Sequence, residues 1–367
     1  MSADSQNYEL WETRHFLRVF RAVQSDPLYW DQFFTNEVLS DEEWIDFEKM
    51  PIKNRKLAPF VLPLGRGKSV YSDKSTGYRF KPAYTKTQDQ IDPLMPLTRR
   101  VGIDSNMLDP MPDLSPSQRL NLIRAAITAS HVEAHQRTRN YMAAVVLRDG
   151  KITLSGEEYP TTLVDFGRAA NHTITLSSGS RLGDSGVSTM DFFQLVVDRM
   201  TQAEFGGMPT RVTMGGGVWN VIRKQEELLK FLDMHLKQND RVTIERGLTN
   251  GEPIFKVGEL MVGGASGTVI ELWVDNSTYV HPETGVVTRY IGAHQMLFTA
   301  SPAAINGFQV FGRIIDRAAD WKPMRLFPKN WVAKGDVDVE YITHKSAPLM
   351  VPVNPNATLL ANVIAAA

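Results

Sequence analysis

The longest amphipathic pattern in the chain begins at Ser115 and predicts one long helix. Ser115 suits the N-cap, Pro116 the first helical position and Gln118 the reciprocal place of a capping box. An apolar stripe at helical spacing follows and ends at Gly150, a typical helix stop. The stripe consists of Leu120, Ile123, Ile127, Ala134, Tyr141 and Val145. Residues 115–148, at about 1.5 Å each, give a rod of roughly 50 Å, which favours a structural spine.

The other side of this helix carries polar residues, among them Arg124, His131, His135 and Arg139. Two imidazoles one turn apart could share a zinc ion, so a zinc hydrolase using His131 and His135 is the enzymatic alternative. Glu133 lies about 200° around the helix from His131 and cannot act as its general base. We therefore expect both histidines on the solvated side of the spine.

Aromatic residues crowd the first fifty positions, with ten of them between residues 8 and 47. The spacing of Phe16, Phe20 and Val23 predicts a short amphipathic helix that ends before Pro27. Rings this large must be buried against their own domain or against another subunit. The candidates for contacts between subunits in this segment are Trp11, Phe16, Phe20 and Trp30.

Residues 57–86 read as a long β-hairpin with a basic, glycine-containing loop. The stretch 76–84 alternates aromatic and basic residues, as a strand with two different faces would. A solitary hairpin has too little core to be stable alone in water, so we expect it to lie on a neighbouring subunit. Its candidate contact residues are Arg66, Lys68, Lys74, Arg79 and Lys81.

The remainder of the chain predicts an α+β mixture without regular strand and helix alternation. A hairpin over 151–155 and 161–166 precedes a Gly/Ser-rich stretch near 177–186, where we place a domain boundary. The expected helices and strands then follow in chain order. The helices are 188–203 and 218–236, and the strands are 211–214, 256–262, 268–274, 287–291, 294–299, 337–342 and 347–355.

The net charge of −1 conceals two opposite blocks. Residues 1–50 hold 11 acidic and 4 basic side chains, whereas residues 51–100 hold 3 acidic and 11 basic ones. Such blocks attract each other within one molecule or between copies.

The absence of cysteine excludes disulfides, thiolate metal sites and cysteine nucleophiles. Neither a membrane-spanning apolar run nor a signal peptide is visible, so we expect a cytoplasmic protein.

Two glycine motifs carry no nucleotide chemistry. Gly67-Lys68-Ser69 resembles the end of a phosphate-binding loop, but Leu62 stands where the first glycine is needed and a strand follows instead of a helix. The glycines at 215–217 lack the third glycine of a dinucleotide fingerprint, because that place is taken by Asn220. We interpret them as a tight turn into a helix. We predict no cofactor, no metal and no enzymatic activity.

Six sequence blocks closely resemble the major capsid proteins of lambda-like tailed phages, in the order of that family. The most specific are residues 325–336 (RLFPKNWVAKGD) and 344–355 (HKSAPLMVPVNP). Residues 152–159 (ITLSGEEY) with 164–175, and 78–84 (YRFKPAY) with 92–100, add to them. The resemblance runs from about residue 26 to 356 and thins between 235 and 320.

This resemblance implies the Hong Kong type capsid fold of tailed phages and herpesviruses. The expected division is an N-terminal arm, an extended loop, a peripheral domain with the spine helix 115–148, an axial domain and a return to the peripheral domain with the C-terminal tail. The corresponding residues are 1–56, 57–86, 87–178, 179–320 and 321–367. No acceptor for an isopeptide crosslink is marked, and the long N-terminal scaffolding extension of some relatives is missing, so we expect no crosslink and a separate scaffold.

The function implied is that of a major capsid protein that self-assembles into an icosahedral head. The expected partners are other copies in hexamers and pentamers, a portal protein, a scaffolding protein, a decoration protein and non-specifically bound double-stranded DNA, with no membrane. The subunit would belong to the virion and assemble in the host cytoplasm. The shell of an encapsulin-like cellular nanocompartment is the alternative within the same fold.

Overall fold

The structure of the chain is a computed structural model, which describes residues 10–23, 28–48, 77–96, 115–156, 159–225, 253–262, 267–281, 284–335 and 338–365. Helices and strands are mixed within these ranges, as an α+β chain requires. The candidate loop residues Arg66, Lys68 and Lys74 lie outside them.

The helices of the described part are few and one of them dominates. They are Thr13–Val23 (α1), Pro116–Asp149 (α2), Thr189–Gln202 (α3), Gly216–Ile222 (α4) and Pro302–Ile305 (α5). The predicted start of α2 is confirmed, because the Ser115 hydroxyl accepts from the Gln118 amide while the Gln118 side chain accepts from the Ser115 amide. Gly150 ends the helix in the left-handed region at φ 67°.

The strands of the described part are short and numerous. They are Asn36–Leu39 (β1), Ile45–Glu48 (β2), Gly77–Phe80 (β3), Thr85–Ile91 (β4), Lys151–Gly156 (β5), Tyr159–Asp165 (β6), Thr173–Thr175 (β7), Pro209–Gly215 (β8), Ile254–Val262 (β9), Thr268–Asp275 (β10), Thr278–Val280 (β11), Val287–Arg289 (β12), Gln295–Ala300 (β13), Gly307–Phe311 (β14), Phe327–Ala333 (β15), Val339–Ser346 (β16), Pro348–Pro352 (β17) and Thr358–Asn362 (β18).

The largest sheet is mixed and has the strand order β7-β18-β13-β8-β10-β9. α3 covers it through the ring of Phe193, which meets Phe298 of β13 edge to face at 5.3 Å. The sheet connects strands of the predicted axial segment with β7 and β18 of the flanking segments. It therefore joins residues that the sequence analysis assigned to different domains.

Two smaller sheets flank the long helix α2. β15, β16 and β4 form an antiparallel sheet, and α2 contacts both β16 and β4. β1 pairs parallel with β14, which pairs antiparallel with β17, and α2 also contacts β17. The N-terminal segment thus supplies a strand to a sheet built otherwise from the last third of the chain.

Two predicted elements differ from the structure. The helix expected over 218–236 ends at Ile222, where the chain tightens into a turn through amide bonds from Lys224 to Val221 and from Gln225 to Ile222. Its remainder, from residue 226, lies outside the described residues. The other predicted strands fall on observed strands, with ends shifted by a few residues.

Of the hairpin expected over 57–86, residues 57–76 lie outside the described residues, and only 77–86 are described. There β3 pairs with β2, so the strand that follows residue 76 has Ile45–Glu48 as its partner. Ile45 lies opposite Phe80, and both are buried in the main core. The predicted end at residue 86 falls inside β4, which belongs to the sheet beside α2. Burial of Ile45 and Phe80 determines which strands pair here, and the alternation of apolar and polar residues in the sequence does not reveal that pairing.

Candidate functional site: the spine helix, the arm and the Asp316 hub

The polar side of α2 is buried, which makes the predicted solvated face wrong. Arg124, Thr128, His131, His135 and Asn140 are all buried, whereas several apolar stripe residues are only partly covered. The reason is that the sheet β15-β16-β4 presents polar partners to this side of the helix. A polar helix face is stable inside a protein when each group finds a hydrogen-bond partner.

Arg124 carries the strongest of these contacts. Its guanidinium donates from Nε to Glu340 Oε1 at 3.0 Å and from Nη2 to Glu340 Oε2 at 2.7 Å. Both side chains are almost fully buried, with 2% and 9% exposed. Asn121 accepts a further bond from Arg124 Nη1 at 3.1 Å. This bidentate pair fixes the register of α2 against β16.

Three buried histidines lie between α2 and the same sheet. His131 Nε2 lies 2.8 Å from Asp89 Oδ2 and its Nδ1 lies 2.8 Å from His344 Nδ1. Because a carboxylate only accepts, His131 carries its proton on Nε2, and in its neutral form its Nδ1 accepts from His344. His135 meets the hydroxyls of Thr85 and Thr87 at 3.3 and 3.2 Å.

Burial decides the protonation of two of these rings. Burial, together with the nearby His131 and Arg139, lowers the pKa of His135 to about 4. Burial and the two neighbouring imidazoles lower the pKa of His344 to about 3. Both rings are therefore neutral near pH 7. Within the described residues, no group of three His, Asp or Glu side chains is arranged to hold a metal ion, so the zinc alternative has no geometric support.

The N-terminal arm docks on this same region through Phe16. The Phe16 ring is buried at 1% exposure and meets the His344 ring edge to face at 5.9 Å. Its small cluster includes Leu120 of α2. Trp11 packs on Phe16 and donates from Nε1 to Asn121 Oδ1 at 2.9 Å. The arm therefore uses its rings inside its own chain.

Trp30 is likewise buried within its own chain. It is fully covered, and its amide donates to Asn140 Oδ1 of α2 at 3.0 Å. Its neighbour Tyr29 shares a 2.8 Å hydrogen bond with Thr213 of β8. Phe16 and Trp30 therefore have almost no free surface in the single chain, and their contact with another subunit stays an untested prediction. Burial of these rings within their own chain is the alternative that the sequence analysis left open.

The other candidate contact residues remain at or near the surface. Phe20 is partly buried beside a cavity of about 200 Å³ between arm and spine. Arg79 and Lys81 are exposed. Lys81 donates to Glu43 at 2.7 Å, so one link between the basic and acidic blocks lies within one molecule. Arg66, Lys68 and Lys74 lie outside the described residues.

Asp316 is a hub that the sequence analysis did not single out. Its carboxylate accepts from Lys345 Nζ at 2.6 Å, from Lys329 Nζ at 2.9 Å and from the Ala318 amide at 2.9 Å. Although burial opposes it, these bonds hold the pKa of Asp316 well below its usual range. The two lysines belong to the two most specific sequence blocks, and a search for an acidic partner of those lysines could have found Asp316.

The sequence model of the phage major capsid protein E family matches residues 13–363. The chain belongs to this family. The major capsid protein of Escherichia phage lambda is 26% identical over 337 residues, which are 90% of this chain and 92% of that protein. The major capsid protein of Enterobacteria phage P21 is 24% identical and covers 96% of this chain and 99% of its own length.

A crystal structure agrees with this assignment at the level of the fold. The capsid protein of a prophage in E. coli CFT073 superposes with a TM-score of 0.65 at 18% identity, over 96% of this chain and 99% of that one. The fold is therefore the Hong Kong type capsid fold, as expected from the resemblance. The chain is a structural subunit of a phage head shell and a component of the virion. The family supports this function over the hydrolase and nanocompartment alternatives. No described helix is long and apolar enough to cross a membrane.

Proposed function

We propose that this subunit builds an icosahedral head by laying an N-terminal arm (1–56) and an extended loop (57–86) on neighbouring copies within hexamers and pentamers. The observation that carries this proposal is the stem formed by β2 and β3. Ile45 and Phe80 of the stem are buried in the core, and the ring centroids of Phe80 and Phe166 are 4.9 Å apart. The chain segment 49–76 thus leaves and returns at one anchored point.

The division into a peripheral domain (87–178 and 321–367) and an axial domain (179–320) belongs to the same proposal. It is supported by the packing of β4, β15 and β16 on the spine helix α2, which groups the two peripheral segments. Many weak contacts per subunit then sum to a stable shell. The subunit has no catalytic role in this proposal.

The shell encloses double-stranded DNA without reading its sequence, and it assembles in the host cytoplasm. Its further partners are a portal protein and a scaffolding protein. The near-zero net charge gives no general attraction for phosphates, so enclosure of the DNA in this proposal does not depend on tight binding of the duplex by the subunit.

Electron microscopy and sedimentation of the expressed full chain test the proposal. Wild-type protein should form closed shells, and deletion of residues 64–77 should leave soluble subunits or small oligomers. The matched control is a full-length chain in which Arg66, Lys68 and Lys74 are changed to serine. It distinguishes the effect of shortening the loop from the effect of removing its positive charge. Normal shells from the deletion variant would contradict the role of the loop. Gel bands at multiples of the monomer mass would contradict the absence of a crosslink.

A further inference from the structure

Residues 313–323 form a closed loop that contains Asp316. Arg313 and Pro323 form an isolated β-bridge at its base, and the Ile314 amide donates to the Lys322 carbonyl at 3.2 Å. Inside the loop, a short 3-10 helix begins at Arg317. Asp316 ties the loop to β15 and β16 through its two lysine partners. We call these residues the buttressed loop.

The buttressed loop holds two large apolar side chains in water. Ile315 is 66% exposed and Trp321 is 52% exposed. Trp321 follows Asp320, and both adopt the left-handed region, at φ 52° and 54°. A bulky residue rarely takes this conformation unless its surroundings enforce it, and such outliers concentrate at binding sites. The backbone at Asp320 and Trp321 is therefore held in an unfavourable conformation that leaves the Trp321 side chain in water.

The acidic segment 36–44, here called the strap, adjoins this loop. Leu39 lies opposite Phe311 at the end of β14, and the Ser40 amide donates to the Phe311 carbonyl at 3.0 Å. Ion pairs join Glu43 to Arg313 and Glu37 to Arg325. The strap adds Leu39 and Trp44, which are also among the exposed large apolar residues of the described chain.

Strap and loop are joined by Glu43 and Arg313, and each carries exposed apolar side chains beside exposed charges. The strap side carries the exposed acids Asp41 and Glu42. The loop side carries the exposed base Arg317, whereas Lys322 already pairs with the exposed Asp320 at 2.8 Å. This surface is complementary to a second copy of itself, because a twofold axis can place the acidic strap of one copy against Arg317 of the other.

We propose that the strap and the buttressed loop form a contact surface between subunits, with a second copy of this chain as the occupant and Trp321 as its anchor. Tryptophan is the residue type most enriched among the side chains that dominate interface energy. This inference rests on the proposed shell function and specifies where copies meet.

Alanine substitution of the anchor is the first test. Trp321→Ala should raise the protein concentration needed for shell formation about tenfold, as measured by sedimentation. Leu195→Ala is the matched control, because Leu195 is 45% exposed on α3, outside this surface, and its substitution should change that concentration less than twofold. Circular dichroism spectra of both variants should match the wild type, since neither side chain is buried.

Charge exchange tests the identity of the occupant. Arg317→Glu alone, and Asp41→Lys with Glu42→Lys alone, should each impair assembly, whereas the combination of all three should restore it to within about threefold of wild type. Defects in both partial variants without restoration in the combination would overturn the contact between copies. A Trp321→Ala variant that assembles like wild type but no longer binds a decoration protein would also overturn it. Wild-type protein that forms no shells at all would instead refute the proposed function.

Discussion

Arg124 and Glu340, which are 216 residues apart in the sequence, form a bidentate ion pair that is buried between the spine helix and β16. The pair joins the middle of the chain to its C-terminal part, within the peripheral domain of our proposal. Its burial makes it sensitive to the loss of one partner, since the remaining charge has neither water nor a counter-ion.

Removing one side of this pair should destabilise the fold strongly. Arg124→Ala leaves Glu340 buried and uncompensated, so we expect the free energy of unfolding to fall by about 3–5 kcal/mol in urea titrations. Arg137→Ala, which breaks the exposed pair with Glu133, should cost at most about 0.5 kcal/mol. The double variant Arg124→Met with Glu340→Met should recover most of the loss, and a double variant as unstable as Arg124→Ala would contradict this explanation.

Phe16→Ala should release the arm from the spine. Removing a buried phenylalanine costs about 3–5 kcal/mol, and this local cost should appear as opening of the arm before global unfolding. Proteolysis at Arg18 should then accelerate about 100-fold, because cleavage follows the population of the open form. Leu17→Ala, on an exposed neighbour in the same helix, is the control and should accelerate cleavage less than twofold. Equal rates in the two variants would show that Phe16 does not anchor the arm.

The buried histidines should make stability depend on pH below neutrality. His135 has a folded pKa of about 4 and an unfolded pKa near 6.5, so the unfolded state binds more protons between these values. The stability present above pH 6.5 is therefore lost as the pH falls toward 4, by about 3 kcal/mol for this group. His344 adds to the loss in the same direction.

Urea titrations at a series of pH values test this dependence. His135→Gln should flatten the profile between pH 6.5 and 4, whatever its effect at pH 7. His131 and Arg139 face His135, and His131 also faces His344. A profile that is equally steep in His135→Gln would show that His135 is not the source of the dependence.

Gly215 should tolerate no side chain. A Cβ atom there would lie 2.2 Å from the Gly292 carbonyl oxygen, which is backbone and cannot move alone. We expect Gly215→Ala to lower the free energy of unfolding by about 1–3 kcal/mol in urea. Gly216→Ala is the control and should cost less, because its Cβ would meet only the Asn276 side chain. Equal costs would show that close backbone approach is not the reason for the first glycine.

Elements with strong local signals were predictable from the sequence. The start of α2 follows from a Ser-Pro-Ser-Gln capping pattern that satisfies the first amides of the helix within four residues. The helix before Pro27 and α3 follow from their apolar periodicity. The glycines at 215–217 were expected to form a tight turn into a helix, and α4 does begin there, with Gly215 and Gly217 packed closely against Gly292 and Ala293.

The candidate site was predictable only in part. Phe16 and Trp30 were recognised as rings that must be buried, but their partners were not, since those lie more than 100 residues away in the sequence. The polar face of α2 was assigned to solvent because the hydrophobicity of a helix does not reveal a polar sheet opposite it. Asp316 was missed for the same reason.

The sequence by itself determined the capsid family, the α+β class and the long capped helix, because these depend on residue types at fixed short spacings. The tertiary structure decided which face of that helix is buried, which strands frame residues 49–76, and where the opposite charges meet. These features depend on which distant segments lie against each other. A buried arginine or histidine is stable only when its partner is in place, so no local sequence pattern can predict its burial.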